Sequence, residues 1–239
     1  MSWETKQDYC GLAIASTLTV KSATEGRTAQ YLEKHGAHGD YKATKVFGNR
    51  ASPTNAYTVE AKATITGKKL GDINTVDSKM YMLTSVKFST GADTEPTVEG
   101  SAMEVESAAA VRNYFAIPEF SVSPDHVAQI PAFKTGTGSS ATAVAAFTLS
   151  GTGCELTAVS TEISCSGKTN DKNGDPKAHD VTNGHIVVQV TIGQYGTAVP
   201  TLTAAQGWDV SSPLTCDDPD SDLPTWTATL TMPLTKTMA

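Results

Sequence analysis

Few side chains in this chain of 239 residues stand at spacings that could do chemistry. His35, His38 and Asp40 put two imidazoles and a carboxylate within six residues, part of a metal site if a fourth ligand came from elsewhere. Gly36 and Gly39 point instead to a solvated turn. Asp171, Asn173 and Asp175 have the every-second-residue oxygen spacing of a calcium loop. Pro176 stands where such a loop needs its turning glycine, however, and Thr182 where it needs a bidentate Glu. Asp217, Asp218, Asp220 and Asp222 form a second acidic stretch, and Pro219 and Pro224 make an ordinary acidic turn its default reading. No metal ligand set is assigned.

Nucleophilic catalysis has no better support. The chain has no GxSxG elbow and no His in a distinctive context, and Gly136-Thr-Gly138 lacks the lysine and helix of a phosphate loop. No carboxylate pair stands out among 25 acids. The expectation is a protein with no catalytic residue and no cofactor. Cys10, Cys154, Cys165 and Cys216 form no CxxC pair, so free thiols are expected. Cys154 and Cys165 are the only two close enough in sequence for a local bridge. Trp3, Trp208 and Trp226 each sit among small polar residues, which suits core packing or an aromatic platform for a sugar.

The elements that would carry these residues are strands. The chain holds 35 Thr and 20 Ser but only 18% charged residues, and β-branched Thr packs well on a pleated surface and poorly on a helix. Runs with turn punctuation recur at Leu18 to Val20, Lys42 to Phe47, Tyr57 to Thr66, Met80 to Ser89, Ala143 to Leu149, Leu156 to Cys165, His185 to Ile192 and Thr225 to Met232. Tyr57, Val59, Ala61, Ala63 and Ile65 fall on one face with polar residues between, the pattern of a sheet wet on one side. One helix is expected, over Ser101 to Tyr114, ended before Pro118.

Sliding the sequence by one hundred positions aligns Lys34, Gly36, Ala43, Phe47, Val59, Gly67 and Lys68 with Lys134, Gly136, Ala143, Phe147, Val159, Gly167 and Lys168. Past a longer second hairpin, Val86 to Val98 lies on Val190 to Leu202. The expected fold is all-β with little helix: two tandem β-sandwich-like units from an internal duplication. Their bounds are 1–118, including an N-terminal arm over 1–10, and 119–239. Polar hairpins over Gly67 to Lys79 and Gly167 to Gly184 should project, the second too polar to bury anything.

The net charge of -7 supplies too few cations to wrap nucleic acid, although an acidic wall can face DNA without holding it. The first twenty residues lack a basic start and read as a strand, not an export signal, and no run approaches eighteen apolar residues. No membrane partner is expected.

The segments YTVEAKATITGKK from Tyr57 and VKFSTGADTEPTVEG from Val86, with their echoes from Thr157 and Val190, resemble the tail-tube subunits of long-tailed bacteriophages. The resemblance is one of style over most of the chain and rests on no diagnostic motif. It implies a sandwich whose sheet joins its neighbours' sheets in a ring. A long hairpin would meet the next ring, and an acidic lumen would pass DNA as cargo. It also implies a virion protein made in the host cytoplasm, in contact with its own copies and other virion proteins. Two units per chain depart from the sixfold pattern and favour a trimer over a hexamer. The alternatives are a capsid decoration protein and a carbohydrate-binding or adhesive module.

Overall fold

The computed structural model describes residues 8–12, 18–35, 41–106, 113–135, 142–170, 176–217, 219 and 221–238. Side chains at 28–35, 41–50, 135, 168–170 and 176–179 lie outside that description. The described elements are all strands. The first long hairpin is β1 (Leu18–His35) with β2 (Tyr41–Val59). Three short strands follow: β3 (Ala63–Ile65), β4 (Lys69–Leu70) and β5 (Ile73–Val76). The second hairpin is β6 (Lys79–Gly91) with β7 (Thr94–Val105). Next come β8 (Asn113–Ala116), β9 (Phe120–Val122), β10 (Ala132–Thr135), β11 (Thr142–Ala145) and β12 (Phe147–Ser150). The second long hairpin is β13 (Cys154–Asn170) with β14 (Pro176–Gln194). The chain finishes with β15 (Thr201–Ala204), β16 (Asp209–Cys216), β17 (Thr225–Pro233) and β18 (Lys236–Met238).

Nine strands build one sheet in the order β1-β2-β7-β6-β13-β14-β17-β16, with β5 added on β6, and all its pairings are antiparallel. Period-two alternation sets its faces. Tyr57, Val98, Phe88, Thr161, Val188 and Leu230 stand side by side across six strands and are all buried. The next row on that face is Asn55, Gly100, Val86, Ile163, Ile186 and Met232. The other face carries Thr58, Thr97, Ser89, Ser160, Gln189 and Thr229 in one row and Glu99, Lys87 and Glu162 in another. These rows are thus built of Thr, Ser, Gln and charged residues. Small sheets cover the apolar face: β3 with β9, β18-β8-β4, β10 with β11, and β12 with β15. Phe88, Phe120, Phe133 and Trp208 run through the layer between, with successive ring centroids 3.9, 5.5 and 5.6 Å apart. Each large side chain fully buried there is worth roughly 1.5–3 kcal/mol.

Several expectations change. The Ser101 to Tyr114 helix is absent from the described part: Ser101 to Val105 belong to β7 and Asn113 and Tyr114 to β8, while 107–112 lie outside. Pairing with β6 overrides the Ala and Glu content. The run from Tyr57 to Thr66 is two strands, because β2 ends at Val59, residues 60–62 are exposed, and β3 joins β9 in another sheet. Ala61 is therefore outside the core. Asp8 to Leu12 form an irregular strap, not a strand. The segment Gly67 to Lys79 does not project: Leu70 is fully buried, and β5 folds back on β6 through Asp77 and Ser78, both at positive φ. The second polar hairpin buries Val181 and seats Gly184 against Phe115, whereas its tip, 171–175, lies outside the described residues. Cys154 and Cys165 stand eleven residues apart on one strand, roughly 36 Å, which forbids a bridge.

The two halves of the sheet share a layout, β1-β2-β7-β6 and then β13-β14-β17-β16. Like strands start 130 to 136 positions apart (Lys79 to Asp209, Leu18 to Cys154). The hundred-residue alignment matches unlike strands, since Val86 to Val98 spans β6 into β7 and Val190 to Leu202 spans β14 into β15. The boundary expected at 118 and 119 falls between β8 and β9, and strands from both sides of it build the one large sheet.

Candidate assembly surfaces

The two ends of the large sheet differ. Thr54, Ser101, Ser85, Ser164, His185 and Pro233 form the last row crossing six strands at one end. Beyond it, β1 and β2 stay paired as far as His35 with Tyr41, and β13 and β14 as far as Asn170 with Pro176. At about 3.3 Å per residue the eleven residues from Thr24 to His35 reach roughly 36 Å, and the six from Ser164 to Asn170 roughly 20 Å. Both lie at the same end, but β6 and β7 also stay paired past that row as far as Met80 with Val105, so the first arm outreaches the sheet while the second runs beside β6 and β7, with Gly167 against Met82.

The base of the second arm is clamped. Lys236 Nζ sits 2.7 Å from Asp180 Oδ2, while Asn113 Nδ2 and the Val181 N–H each donate to Asp180 Oδ1 at 2.8 Å. Burial by itself would raise the Asp180 pKa, but the Lys236, Asn113 and Val181 hydrogen bonds outweigh it and hold the carboxyl below its ordinary value. A depressed carboxylate contributes stability that is present above the unfolded pKa, near 3.9, and lost as pH falls through the folded one. Asp180→Asn is therefore expected to lower the thermal midpoint at pH 7 and to match wild type near pH 2, as scanning calorimetry at the two pH values would read.

At the opposite end, four large apolar side chains face solvent: Val127 (58% exposed), Tyr195 (57%), Val199 (59%) and Leu223 (56%). The backbone beneath them is fixed. Tyr195 N–H donates to Gly153 O at 2.7 Å, Gln194 N–H to Pro224 O at 2.9 Å, and the Trp226 indole to Gln194 Oε1 at 2.8 Å. Gly153 is at φ 77°, and a Cβ there would stand 2.8 Å from the Gly196 backbone, so the two loops lie in direct contact. The Val127 loop is tied to the same end, through His126 Nδ1 and Thr94 O at 3.1 Å and Gln129 N–H to Thr90 Oγ1 at 3.3 Å.

Among the described strands, β1 and β16 each pair on one side only. β16 carries Pro213, which has no N–H, and register shifts between Val210 and Ser212 and between Ser212 and Thr215. β1 is regular from Ser22 to Thr28, and its Arg27 pairs with Glu25 at 3.2 Å. Eight strands on the path make β1 and β16 run in opposite directions.

The strap Asp8 to Leu12 closes the apolar face of the sheet. Tyr57 Oη donates to Asp8 Oδ1 at 2.5 Å, Cys10 N–H donates to the same oxygen at 3.0 Å, and Lys68 Nζ bonds Gly11 O. Gly100 makes room, since a Cβ there would meet Leu12 Cδ1 and lie 2.9 Å from Cys10 Cβ. Burial, then Asp8, pushes the Tyr57 phenol well up, and burial pushes Cys10 and Cys165 up to about 12. Both thiols stay protonated and unreactive at neutral pH. Sequence reasoning missed this strap, because Asp8 is one of 25 acids and nothing near it forms a motif.

Most of the residues first considered for chemistry lie outside what the structure describes. His38 and Asp40, and Asp171, Asn173 and Asp175, lie outside the described residues, and so do Asp218, Asp220 and Trp3. His35 ends β1. Asp217 Oδ1 accepts from the Thr227 hydroxyl at 3.3 Å, and Asp222 is exposed. Among the described residues no three His, Cys, Asp or Glu come within reach of one metal ion. All four cysteines are free thiols. Trp208 packs half-buried on Phe133 and Trp226 is half-buried, so neither offers an open platform. No family model matches the chain, and no curated protein matches it either.

Proposed function

We propose that the chain is a non-enzymatic structural subunit that assembles with its own copies, and that it serves as a tail-tube subunit of a bacteriophage virion. The observation that carries this reading is the polarity of the sheet, with both arms at one end and the rigidly held apolar group of Val127, Tyr195, Val199 and Leu223 at the other. A subunit with unlike ends stacks head to tail, a heterologous contact that extends without closing. Sideways, a neighbour whose arms point the same way presents β16 antiparallel to β1, so the alternation of the ladder continues across the junction. Pro213 and the two shifts confine that pairing to the ends of β16. A ring of three such chains would pass DNA as cargo without holding it, in keeping with the charge of -7. Other virion proteins would complete its contacts.

Light scattering on the purified chain over a concentration series tests the assembly step. The expected mass is three times 25.0 kDa or a multiple of it, rising with concentration. A single 25.0 kDa species at every concentration and salt would overturn the reading.

A further inference from the structure

The seam where the two halves of the sheet meet, β6 against β13, holds a small cleft of about 40 Å³. Phe88, Thr90, Phe120, Gln129, Val159 and Thr161 line it. It is far below the several hundred Å³ of a metabolite site but ample for water. Besides the Tyr57 phenol, which Asp8 satisfies, Thr161 carries the one polar group of the buried row from Tyr57 to Leu230, and it is 3% exposed. Its backbone is in the ladder with Phe88 and Val188, yet no described group forms a hydrogen bond with its hydroxyl. A buried hydroxyl left so costs as much as a lost hydrogen bond, which is why nearly all such groups in folded proteins find a partner.

Thr90 supplies the other half of a bridge. It pairs with Val159 while Thr161 pairs with Phe88, so the two threonines are diagonal neighbours on the same face, a relation of roughly 7–8 Å that leaves room for one water between their hydroxyls. Thr90 Oγ1 already accepts the Gln129 N–H and retains its own proton to donate. We propose that the cleft is a water-binding site, in which an ordered water bridges Thr161 and Thr90 across the seam. The joint between the halves is then partly hydrated, and Thr161 is in the core to anchor that water. The site does not depend on the assembly reading.

Thr161→Val is nearly isosteric and gives the test its sign. With the bridge in place, removing the hydroxyl strands the water and the thermal midpoint falls by about 2–4 °C, while Thr161→Ser, which keeps the hydroxyl, retains the water. A dry cleft predicts the reverse, since the valine relieves an uncompensated hydroxyl, so an unchanged or raised midpoint would overturn the proposal. A high-resolution crystal structure supplies the second readout. Density at hydrogen-bond distance from Thr161 Oγ1, absent in Thr161→Val, is the expected result; an empty wild-type cleft would also overturn it.

Discussion

Gly184→Ala is expected to destabilise the fold by about 1–3 kcal/mol, a fall of several degrees in the thermal midpoint for a chain of this size. The cause is space. A Cβ at 184 would lie 2.5 Å from Cγ and Cδ1 of Phe115 and 2.6 Å from its Cε1. The ring is 3% exposed and cannot move aside, because Phe115 pairs with Leu70 of β4 on one side and Lys236 of β18 on the other. Gly184 is itself fixed, its carbonyl accepting the Leu234 N–H at 2.9 Å. Phe115→Leu in the same chain should recover part of the loss, so that the two changes together cost less than their sum. Equal midpoints for Gly184→Ala and wild type by calorimetry would show that the base of the second arm is not packed as described.

The second large effect falls on assembly and leaves the subunit fold untouched. Tyr195→Asp combined with Val199→Asp puts two charges on side chains already more than half exposed, so the midpoint of the isolated subunit should move by less than about 1 °C. In a stack the same charges would be buried without partners, weakening end-to-end association on the order of 100-fold. Sedimentation velocity should show wild type growing with concentration and the double variant stopping at the ring. Wild-type growth in the double variant would remove this end from the contact.

What the sequence made legible follows from side-chain size. Strict alternation of large apolar residues marks β6 and β14, where Val86 and Phe88, and Ile186, Val188 and Val190, repeat on one face, while in β13 Val159 and Ile163 flank Thr161 on that face. Alternation misleads where the inward residue is small. Ala61 continues the pattern from Tyr57 to Ile65, but a methyl group binds a strand to a sheet weakly, and the chain leaves one sheet for another there. The described start of the expected helix misleads for the same reason, because Ala102 is as acceptable to a strand as to a helix and only the distant partner β6 decides. Hairpin composition misled about Gly67 to Lys79, where Leu70 is fully buried and Ile73 and Val76 pack on the core amid an otherwise polar stretch.

The candidate surfaces were less legible than the fold. Tyr195 and Leu223 lie 28 positions apart and share one end of the sheet only because β14 stops at Gln194 and β17 starts at Thr225. No local spacing encodes that. Thr161 is equally silent in sequence, one of 35 threonines until the ladder sets it between Phe88 and Val188.

Electron microscopy of the concentrated wild-type chain looks at the polarity of the subunit most directly. Rings that stack into tubes of one diameter, with every subunit facing the same way along the axis, are the expected image. Isolated particles at every concentration and salt, or back-to-back pairs that bring like ends together, would contradict it.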